Sequence, residues 1–170
     1  YPFHLSLDPD FENRIIIPYY RNSKLVYWQG RLFDDTEKKK RYVNPSVDKA
    51  GILFNYDTVF DYTEKPLIIT EGVFDAIAIN GVAIAGSDLS QFHIATFNKS
   101  RRDKVFVIDK DIKGYKLGKK ALELGYNITW LDGTITDIND GVIKMGKLWT
   151  VQNILQNIST GLYAKLWLEN

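Results

Sequence analysis

The stretch Leu67–Asp75, with the sequence LIITEGVFD, is an apolar run that ends abruptly at Glu71 and carries a second carboxylate at Asp75. A second apolar run, within Val105–Asp111 (VFVIDKD), also stops at acidic residues. Short apolar runs bounded by polar residues are typical of strands buried in a parallel sheet. The carboxyl ends of such strands meet at one edge, where open α/β sheets place their sites. The two stretches therefore predict an acidic metal site at one edge of a parallel sheet.

The composition indicates a globular chain with a buried core. It has 170 residues, of which 45% are hydrophobic and 25% charged, enough for one domain or for one domain with a smaller subdomain. The net charge of +1 points to no partner, but Lys38–Arg41 and Lys99–Arg102 are local basic clusters. Basic clusters beside an acidic metal site suit a groove for a polyanion, although a solvated lysine run is the commoner explanation.

Several classes of protein are excluded by what the sequence lacks. It has no cysteine, which excludes disulfides and a Cys-type zinc site within these residues. No apolar stretch approaches the roughly 20 residues that span a bilayer, and the N-terminus lacks the pattern of a signal peptide. The chain begins at Tyr1 and its single methionine is Met145. We therefore expect a fragment of a longer protein.

The first third of the chain is predicted to be β-rich. Two runs of β-formers, residues 14–20 and 24–33, flank Arg21–Ser23 and predict a hairpin. Pro18 cannot donate to a ladder, so it indicates an edge position or a bulge. Residues 51–56 suit another short strand.

From Pro66 the predicted elements alternate between strand and helix, the pattern of an α/β layer fold. The predicted strands are 67–70, 82–85, 105–108 and 127–131, and the predicted helices are about 74–80, 89–97 and 115–124, followed by one opening at Asp137 and one capped by Thr150. The predicted fold class is α/β, a mainly parallel sheet flanked by helices and preceded by a small β-rich basic subdomain. We expect the basic subdomain at 1–64, the α/β domain at 65–146 and a C-terminal helical or extended segment at 147–170.

The carboxylates that follow the two buried strands are predicted to approach one another. Asp109 and Asp111 would share a face if extended geometry persists that far, because side chains alternate along a strand. Glu71 could approach them, since neighbouring strands lie about 4.8 Å apart. Three carboxylates so close repel, and at least one stays protonated unless a cation is bound. Oxygen ligands without Cys or His favour Mg²⁺ or Mn²⁺ over zinc.

Each acid also has a structural explanation. Asp75 could stabilise the first turn of its helix, where negative charge is favoured by about 0.3–1 kcal/mol. Asp111 could cap the helix that follows it. The combination of Glu-Gly-x-x-Asp with a later Asp-x-Asp-x-x-Gly, each after a buried strand, favours the metal site. His93, on a predicted amphipathic helix, is expected to be structural.

These motifs carry a resemblance to a known family. Glu71–Asp75 (EGVFD) followed by Asp109–Gly114 (DKDIKG) resembles the Toprim module shared by DnaG-type primases, topoisomerases and some nucleases. The resemblance runs from about Pro66 to Gly146. Thr136–Asp140 (TDIND) is similar to the Lys-Asp-Pro-Asp segment of DnaG-type primases, with threonine in place of lysine and Ile-Asn in place of Pro-Asp.

The region before this module resembles the basic subdomain that precedes Toprim in DnaG-type primases. The segments that carry this likeness are Arg14–Pro18, Gln29–Arg31, Arg41–Ser46 and Lys49–Phe54. The resemblance implies that Arg31, Arg41, Asn44 and Lys49 bind nucleotide phosphates or template. Arg41 replaces the family's usual lysine, which keeps the charge and changes the donor geometry. The short spacings and the tail Gly161–Leu166 look most like the compact primases of tailed phages.

What the resemblance implies is a DNA primase catalytic core. Such a core synthesises short RNA primers on single-stranded DNA by metal-dependent nucleotidyl transfer from NTPs. Asp109 and Asp111 become the principal ligands of two Mg²⁺ or Mn²⁺ ions, with Asp137 as an additional ligand. Glu71 is implied as a ligand or a general base, and Asp75 as a residue that orients the site.

The resemblance also implies partners and leaves two alternatives. The implied partners are single-stranded DNA, NTPs, the RNA primer and a replicative helicase, in the cytoplasm of a bacterial or phage-infected cell, with no membrane. Zinc is expected only in a separate module preceding this region. One alternative is another Toprim enzyme, a nuclease or topoisomerase fragment, although the region from Arg31 to Lys49 argues for a primase. The other is a non-catalytic nucleic-acid-binding Toprim module.

Overall fold

The chain forms two four-stranded sheets, described in a computed structural model for residues 3–33 and 40–169. Lys38 and Lys39 of the first basic cluster lie outside the described residues. The first four strands of the chain form an antiparallel sheet, in which each strand pairs with the next. The last four strands form a parallel sheet, in which the fifth and seventh strands are central and the sixth and eighth lie at the edges. Within the described part of the chain, no helix is both long and apolar enough to cross a membrane.

The antiparallel sheet is built around the predicted hairpin. Its strands are β1 (His4–Leu5), β2 (Arg14–Arg21), β3 (Lys24–Leu32) and β4 (Tyr42–Val43). Pro18 lies opposite Trp28, and the register between β2 and β3 shifts just afterwards, between Tyr19 and Tyr20. The bulge predicted from Pro18 is therefore confirmed.

The strand predicted at residues 51–56 was wrong. Gly51 ends a 3-10 turn, Lys49–Gly51, and a second 3-10 helix spans Tyr56–Phe60. Between them Asn55 is left-handed, with φ of 60°, and this interrupts an extended run. Phe54 alone makes a β-bridge, through hydrogen bonds of 2.8 and 3.4 Å with Ala83, so this segment joins the edge of the parallel sheet.

The second part of the chain alternates strands and helices, and the predicted fold class is confirmed. Its elements are β5 (Leu67–Thr70), α1 (Val73–Ile79), β6 (Val82–Ala83), α2 (Gln91–Lys99), β7 (Lys104–Val107), α3 (Ile112–Glu123), β8 (Asn127–Thr129), α4 (Ile138–Met145), α5 (Lys147–Gln156) and α6 (Gly161–Trp167). All the strands of this sheet are parallel, so their carboxyl ends share one edge. The final segment, predicted as strand or helix, is helical.

The structure corrects several predicted helix boundaries. Helix α2 begins at Gln91 rather than at residue 89, because the Ser90 side chain caps it through the backbone N–H of its third residue. Helix α3 begins three residues earlier than predicted, because Asp111 caps it. Thr150 does not cap a helix but lies inside α5, where its hydroxyl donates to the Gly146 carbonyl at 2.9 Å.

Two apolar clusters hold these layers together. The larger one lies on the parallel sheet and includes Phe97, Phe106 and Tyr126. The other packs Ile17 and Tyr19 of the hairpin against α1 and β6, so the two sheets share a core.

His93 lies buried at the junction of the two sheets. Its Nε2 lies 2.8 Å from the Ile52 carbonyl and its Nδ1 lies 3.2 Å from the Ser90 backbone nitrogen. The carbonyl only accepts and the N–H only donates, so the ring is neutral and carries its proton on Nε2. Burial lowers the pKa of His93 and favours this neutral form. The predicted structural role of His93 is confirmed.

Arg102 connects three backbone carbonyls at the amino-terminal edge of the parallel sheet. Its guanidinium donates to Thr58 at 2.8 Å, to Lys65 at 2.9 Å and to Pro66 at 2.8 Å.

We predict that Arg102→Met lowers the free energy of unfolding by about 1–3 kcal/mol, because these charge-assisted hydrogen bonds are lost together. Urea denaturation measures the change, and Arg101→Met, at the exposed neighbour, is the matched control. Equal stability of the two variants would contradict the assignment.

Candidate active site

The five predicted acidic residues lie at the carboxyl edge of the parallel sheet. Glu71 directly follows β5, and Asp109 lies two residues beyond the end of the neighbouring strand β7. Asp75 lies in the first turn of α1, while Asp111 and Asp137 are the N-cap residues of α3 and α4. Three helix N-termini therefore point toward this edge, and their dipoles favour negative charge there.

Asp109 and Asp111 are joined by a turn rather than by an extended strand. The Asp111 backbone N–H donates to the Asp109 carbonyl at 2.8 Å, so the chain reverses between them. The expectation that both side chains project from one face of β7 was wrong, since that strand ends at Val107. The Asp111 carboxylate instead accepts the Gly114 N–H at 2.7 Å and caps α3, as its structural explanation predicted.

Gly114 is required for the backbone geometry of the acidic site, although no separate role was predicted for it. A Cβ at this position would lie 2.2 Å from the Asp109 carbonyl oxygen and 3.0 Å from its backbone nitrogen. The first turn of α3 can therefore pack against Asp109 only with glycine at this position. The signal was present in the sequence, as a glycine in the first turn of a helix just after the acidic pair.

Asp75 and Asp137 connect α1 to α4. One oxygen of Asp137 accepts the Asp140 N–H at 2.7 Å and fixes the start of α4. One oxygen of Asp75 accepts the Asn139 N–H at 3.0 Å. The beginning of α4 is thus held by an acid of its own loop and by an acid of α1, 64 residues away from Asn139 in sequence.

Asp109 lies at the electrostatic centre of the cluster. Burial has the largest effect on its pKa, and together with the charges of the other acids, in the order Asp75, Glu71, Asp111 and Asp137, it raises that pKa to about 7. No hydrogen-bond donor of residues 3–33 and 40–169 contacts its carboxylate. A half-buried carboxylate that lacks donors and is surrounded by negative charge is expected to hold its proton near neutral pH.

Asp75 and Glu71 are affected in the same direction. The pKa of Asp75 is raised to about 6, mainly by burial; the hydrogen bond from Asn139 opposes this effect, and the Asp137 charge adds to it. Burial and the charge of Asp111 raise the pKa of Glu71, and Lys113 lowers it. The structure therefore brings the other four predicted acids close enough for their charges to raise the pKa of Asp109.

The oxygen donors of the cluster suit a hard divalent cation, but they are not arranged as a finished site. Among residues 3–33 and 40–169, no group of three or more His, Cys, Asp or Glu side chains could hold a metal ion as placed. Asp75, Asp111 and Asp137 each use one oxygen on a backbone N–H and keep the other. A carboxylate set with no sulfur or imidazole selects Mg²⁺ or Mn²⁺, and their charge would relieve the repulsion around Asp109.

A cavity of about 470 Å³ opens beside these acids. Its walls are the turn from Asp109 to Asp111 and the loop from Gly133 to Asp137. The cavity is open to solvent and has carboxylates on both walls, so a cationic or metal-bound ligand could enter it.

The predicted basic residues lie in the antiparallel sheet and the turns after it. The guanidinium of Arg31, on β3, lies 5.1 Å from the centre of the Tyr42 ring on β4, and Arg41 is the exposed residue before that strand. The buried Oδ1 atom of Asn44 has no hydrogen-bond donor within the described ranges. Lys49 is exposed in a separate 3-10 turn. Arg31 and Arg41 thus lie on neighbouring segments of the antiparallel sheet, Arg31 on β3 and Arg41 just before β4. Lys49 lies in a different segment.

Several solved domains of DnaG-type primases have a similar fold. The structure of the DnaG catalytic core superposes with a TM-score of 0.71 at 22% identity, covering 92% of this chain and 56% of that chain. The RNA polymerase domain of Mycobacterium tuberculosis primase DnaG gives 0.67 at 20% identity, covering 84% of this chain and 55% of that one. A DnaG primase catalytic domain bound to single-stranded DNA gives 0.68 at 22% identity, covering 92% and 55%. At these identities the likeness shows the fold.

Relatives in sequence have the same description. No family model matches the chain. A DNA primase of Legionella pneumophila is 30% identical over 125 residues, which are 66% of this chain and 22% of that protein. A DNA primase of Staphylococcus epidermidis is 30% identical over 135 residues, 69% of this chain and 22% of that protein. The chain is a homologue of the DnaG-type DNA primases.

This chain spans about a fifth of the length of those primases, 22% in both cases. The homology therefore concerns one segment of a longer enzyme. The predicted likeness to the compact primases of tailed phages stays a prediction, because the relatives named above are bacterial.

The raised pKa of Asp109 predicts a pH dependence of stability in metal-free protein. Native Asp109 holds its proton up to about pH 7, whereas an unfolded aspartate loses it near pH ~4. The native state therefore binds more protons between these values, and the free energy of unfolding falls as the pH rises through them. We predict that Asp109→Asn makes this fall smaller, as measured by urea denaturation with a chelator at about pH 4.5 and 7.5.

The matched control for this prediction is Asp88→Asn. The pKa of Asp88 is lowered by its hydrogen bond from Lys120, so this variant should keep the decrease between the two pH values. An identical decrease in wild type and Asp109→Asn would show that the repulsion around Asp109 does not affect folding.

Proposed function

We propose that this chain is the catalytic core of a DNA primase, which synthesises short RNA primers on single-stranded DNA from NTPs. The observation that carries the proposal is the crowding of four other acids around Asp109, in a segment homologous to DNA primases. The reaction joins a 3′-hydroxyl oxygen to the α-phosphorus of an NTP and breaks the bond to pyrophosphate, and the hydroxyl proton is released. It needs a site that gathers polyphosphate beside carboxylates.

The roles of the acids follow from their positions. Asp109 and Asp111 would be the principal ligands of two Mg²⁺ or Mn²⁺ ions, with Asp137 as a further ligand through its second oxygen. Glu71, half-buried at the end of β5, would be a ligand or would accept the hydroxyl proton. Asp75 would keep α4 in place through its bond to Asn139. When bound, divalent ions stabilise the charge on the attacking and leaving oxygens.

The basic half of the chain would bind the nucleic acid and the triphosphate. Arg31 lies on β3, and Arg41 directly precedes the adjacent strand β4, so their charges would contact neighbouring phosphates. The buried Asn44 Oδ1 suits a donor from a ligand. Binding of single-stranded DNA is supported by one structural neighbour, a DnaG primase catalytic domain bound to such DNA. NTPs, the RNA primer and a replicative helicase are the further proposed partners, in the cytoplasm.

The proposed domains have the boundaries that were expected from the sequence. A basic subdomain at 1–64 would bind nucleic acid, a catalytic domain at 65–146 would carry the acids, and residues 147–170 would form a helical C-terminal segment. The presence of a separate sheet in each of the first two regions supports this division.

Metal-dependent dinucleotide synthesis on a single-stranded template tests the proposal. We predict that Asp109→Ala lowers the rate by about two orders of magnitude or more, the scale of losing a group that stabilises charge in a transition state. Asp88→Ala, which removes an exposed carboxylate paired with Lys120, is the control and should remain active. Unchanged synthesis by Asp109→Ala would defeat the assignment.

The same preparation separates the alternatives. Relaxation or cleavage of supercoiled DNA with Mg²⁺ and without NTPs would indicate a nuclease or topoisomerase of the same fold. Binding of the metal without any polymerisation would indicate a non-catalytic module.

Lys49 is tested by binding rather than by turnover. We predict that Lys49→Ala weakens NTP binding about ten-fold, the scale of one charge-assisted hydrogen bond, and reduces its dependence on salt. Fluorescence titration with a labelled NTP measures both quantities. Lys165→Ala, an exposed lysine on α6, removes the same charge at a distance and serves as the control. Equal affinities in the two variants would make Lys49 a surface charge.

A further inference from the structure

The loop that brings Asp137 to the site lies between β8 and α4 and spans Asp132–Asp137. Its far end is fixed by the start of α4, where the Thr136 N–H donates to Asp140 at 3.3 Å and the Asp140 N–H donates to Asp137 at 2.7 Å. Ile135 is buried in a third apolar cluster, together with Ile138 and Ile154. These contacts position the end of the loop relative to its own helix. They do not explain what holds the loop against the Asp109–Asp111 turn.

Lys110 makes that connection. It stands between the two acids of the Asp-x-Asp motif, and its Nζ donates to the Gly133 carbonyl at 3.0 Å. The side chain therefore crosses between the two walls of the 470 Å³ cavity. A long ammonium side chain can make this bond while its positive charge offsets part of the repulsion among the neighbouring carboxylates.

The first residue of the loop is held from the opposite side by Asn153 of α5. The buried Asn153 side chain accepts the Asp132 N–H at 3.0 Å and donates to the Asp132 carboxylate at 2.8 Å. Asn157, one turn later, donates to the Trp130 carbonyl at 3.2 Å. The amide of Asn153 thus satisfies both the backbone and the side chain of Asp132, and it fixes where the loop begins.

We infer that Lys110 and Asn153 are positioning residues, which hold the Asp132–Asp137 loop closed against the Asp109–Asp111 turn. This inference rests on the proposed function, because its purpose is to keep Asp137 beside Asp109 for binding of the divalent ions. Asn153 sets the start of the loop, and Lys110 fixes its next residue across the cavity. Asp137 then lies close enough for its charge to raise the pKa of Asp109.

Lys110→Ala tests the inference by two measurements that need no turnover. Hydrogen exchange of the amides at 133–137 should become faster, because the loop loses its bond to the opposite wall. The affinity for Mn²⁺ alone, measured by electron paramagnetic resonance, should fall by about 10- to 100-fold, the usual cost of losing a residue that orients ligands. Lys110→Arg keeps the charge and the reach and should restore both quantities.

Lys113→Ala is the matched control. Lys113 lies near enough to lower the pKa of Glu71, and its removal costs the cluster the same positive charge. It has no bond to the loop within the described residues, so its variant should leave exchange at 133–137 as in wild type. Asn153→Ala should increase exchange at the same amides as Lys110→Ala does, which gives a second and independent test of the connection.

Two results would overturn the inference. One is unchanged exchange at 133–137 in Lys110→Ala. The other is a change of Mn²⁺ affinity that has the same sign and size in Lys110→Ala and Lys113→Ala, which would show that the bond to the loop contributes nothing. In primer synthesis, Lys110→Ala should lower kcat with little change in KM for the NTP. Absence of synthesis by wild type would refute the proposed function, whereas exchange would still decide the role of Lys110.

Discussion

Repulsion among five carboxylates at one edge of the parallel sheet is the constraint around which the rest of the structure is arranged. Two strand ends deliver Glu71 and Asp109, and three helix starts deliver the other acids. Each helix start supplies a partial positive charge. The start of α3 also donates a backbone N–H to Asp111, and the start of α4 donates one to Asp75 and one to Asp137. The helices are thus part of the electrostatics of the site as well as its scaffold. Asp109 receives no such bond within the described ranges, and burial and the charges of the other four acids raise its pKa to about 7.

This arrangement explains why an acidic site can exist in the folded protein without a finished set of metal ligands. The capped acids each commit one oxygen to the backbone, which fixes their positions and leaves a second oxygen for a ligand. Asp109 can remain protonated near neutral pH, so the folded chain tolerates the cluster while it is metal-free. A cation that binds there would displace a proton and gain the carboxylate. Binding of the ion and release of the Asp109 proton are therefore coupled through the same carboxyl group.

The sequence predicted the parts of this site that depend on local patterns. Apolar runs located β5 and β7, and the order of strands and helices made Glu71 and Asp109 neighbours. The turn between Asp109 and Asp111 was mispredicted, because a strand period was extended past the point where Gly114 lets α3 pack against Asp109. The contact between Lys110 and Gly133 joins residues 23 positions apart, and periodicity contains no information about such a pair. Asp75 was predicted to orient the site, whereas Lys110 and Asn153 were missed, because their contacts depend on how separate elements pack.

Helix α1 links the acidic edge to the basic half of the chain. Val73 and Ala76 on one side of it pack into the cluster that contains Ile17 and Tyr19 of the hairpin. Asp75, between them in sequence, reaches the start of α4 instead. A shift of the antiparallel sheet would therefore move α1, and through Asp75 it would move the loop that carries Asp137. Because a well-packed core transmits displacement rather than absorbing it, the position of the hairpin and the geometry of the carboxylates are mechanically connected through α1.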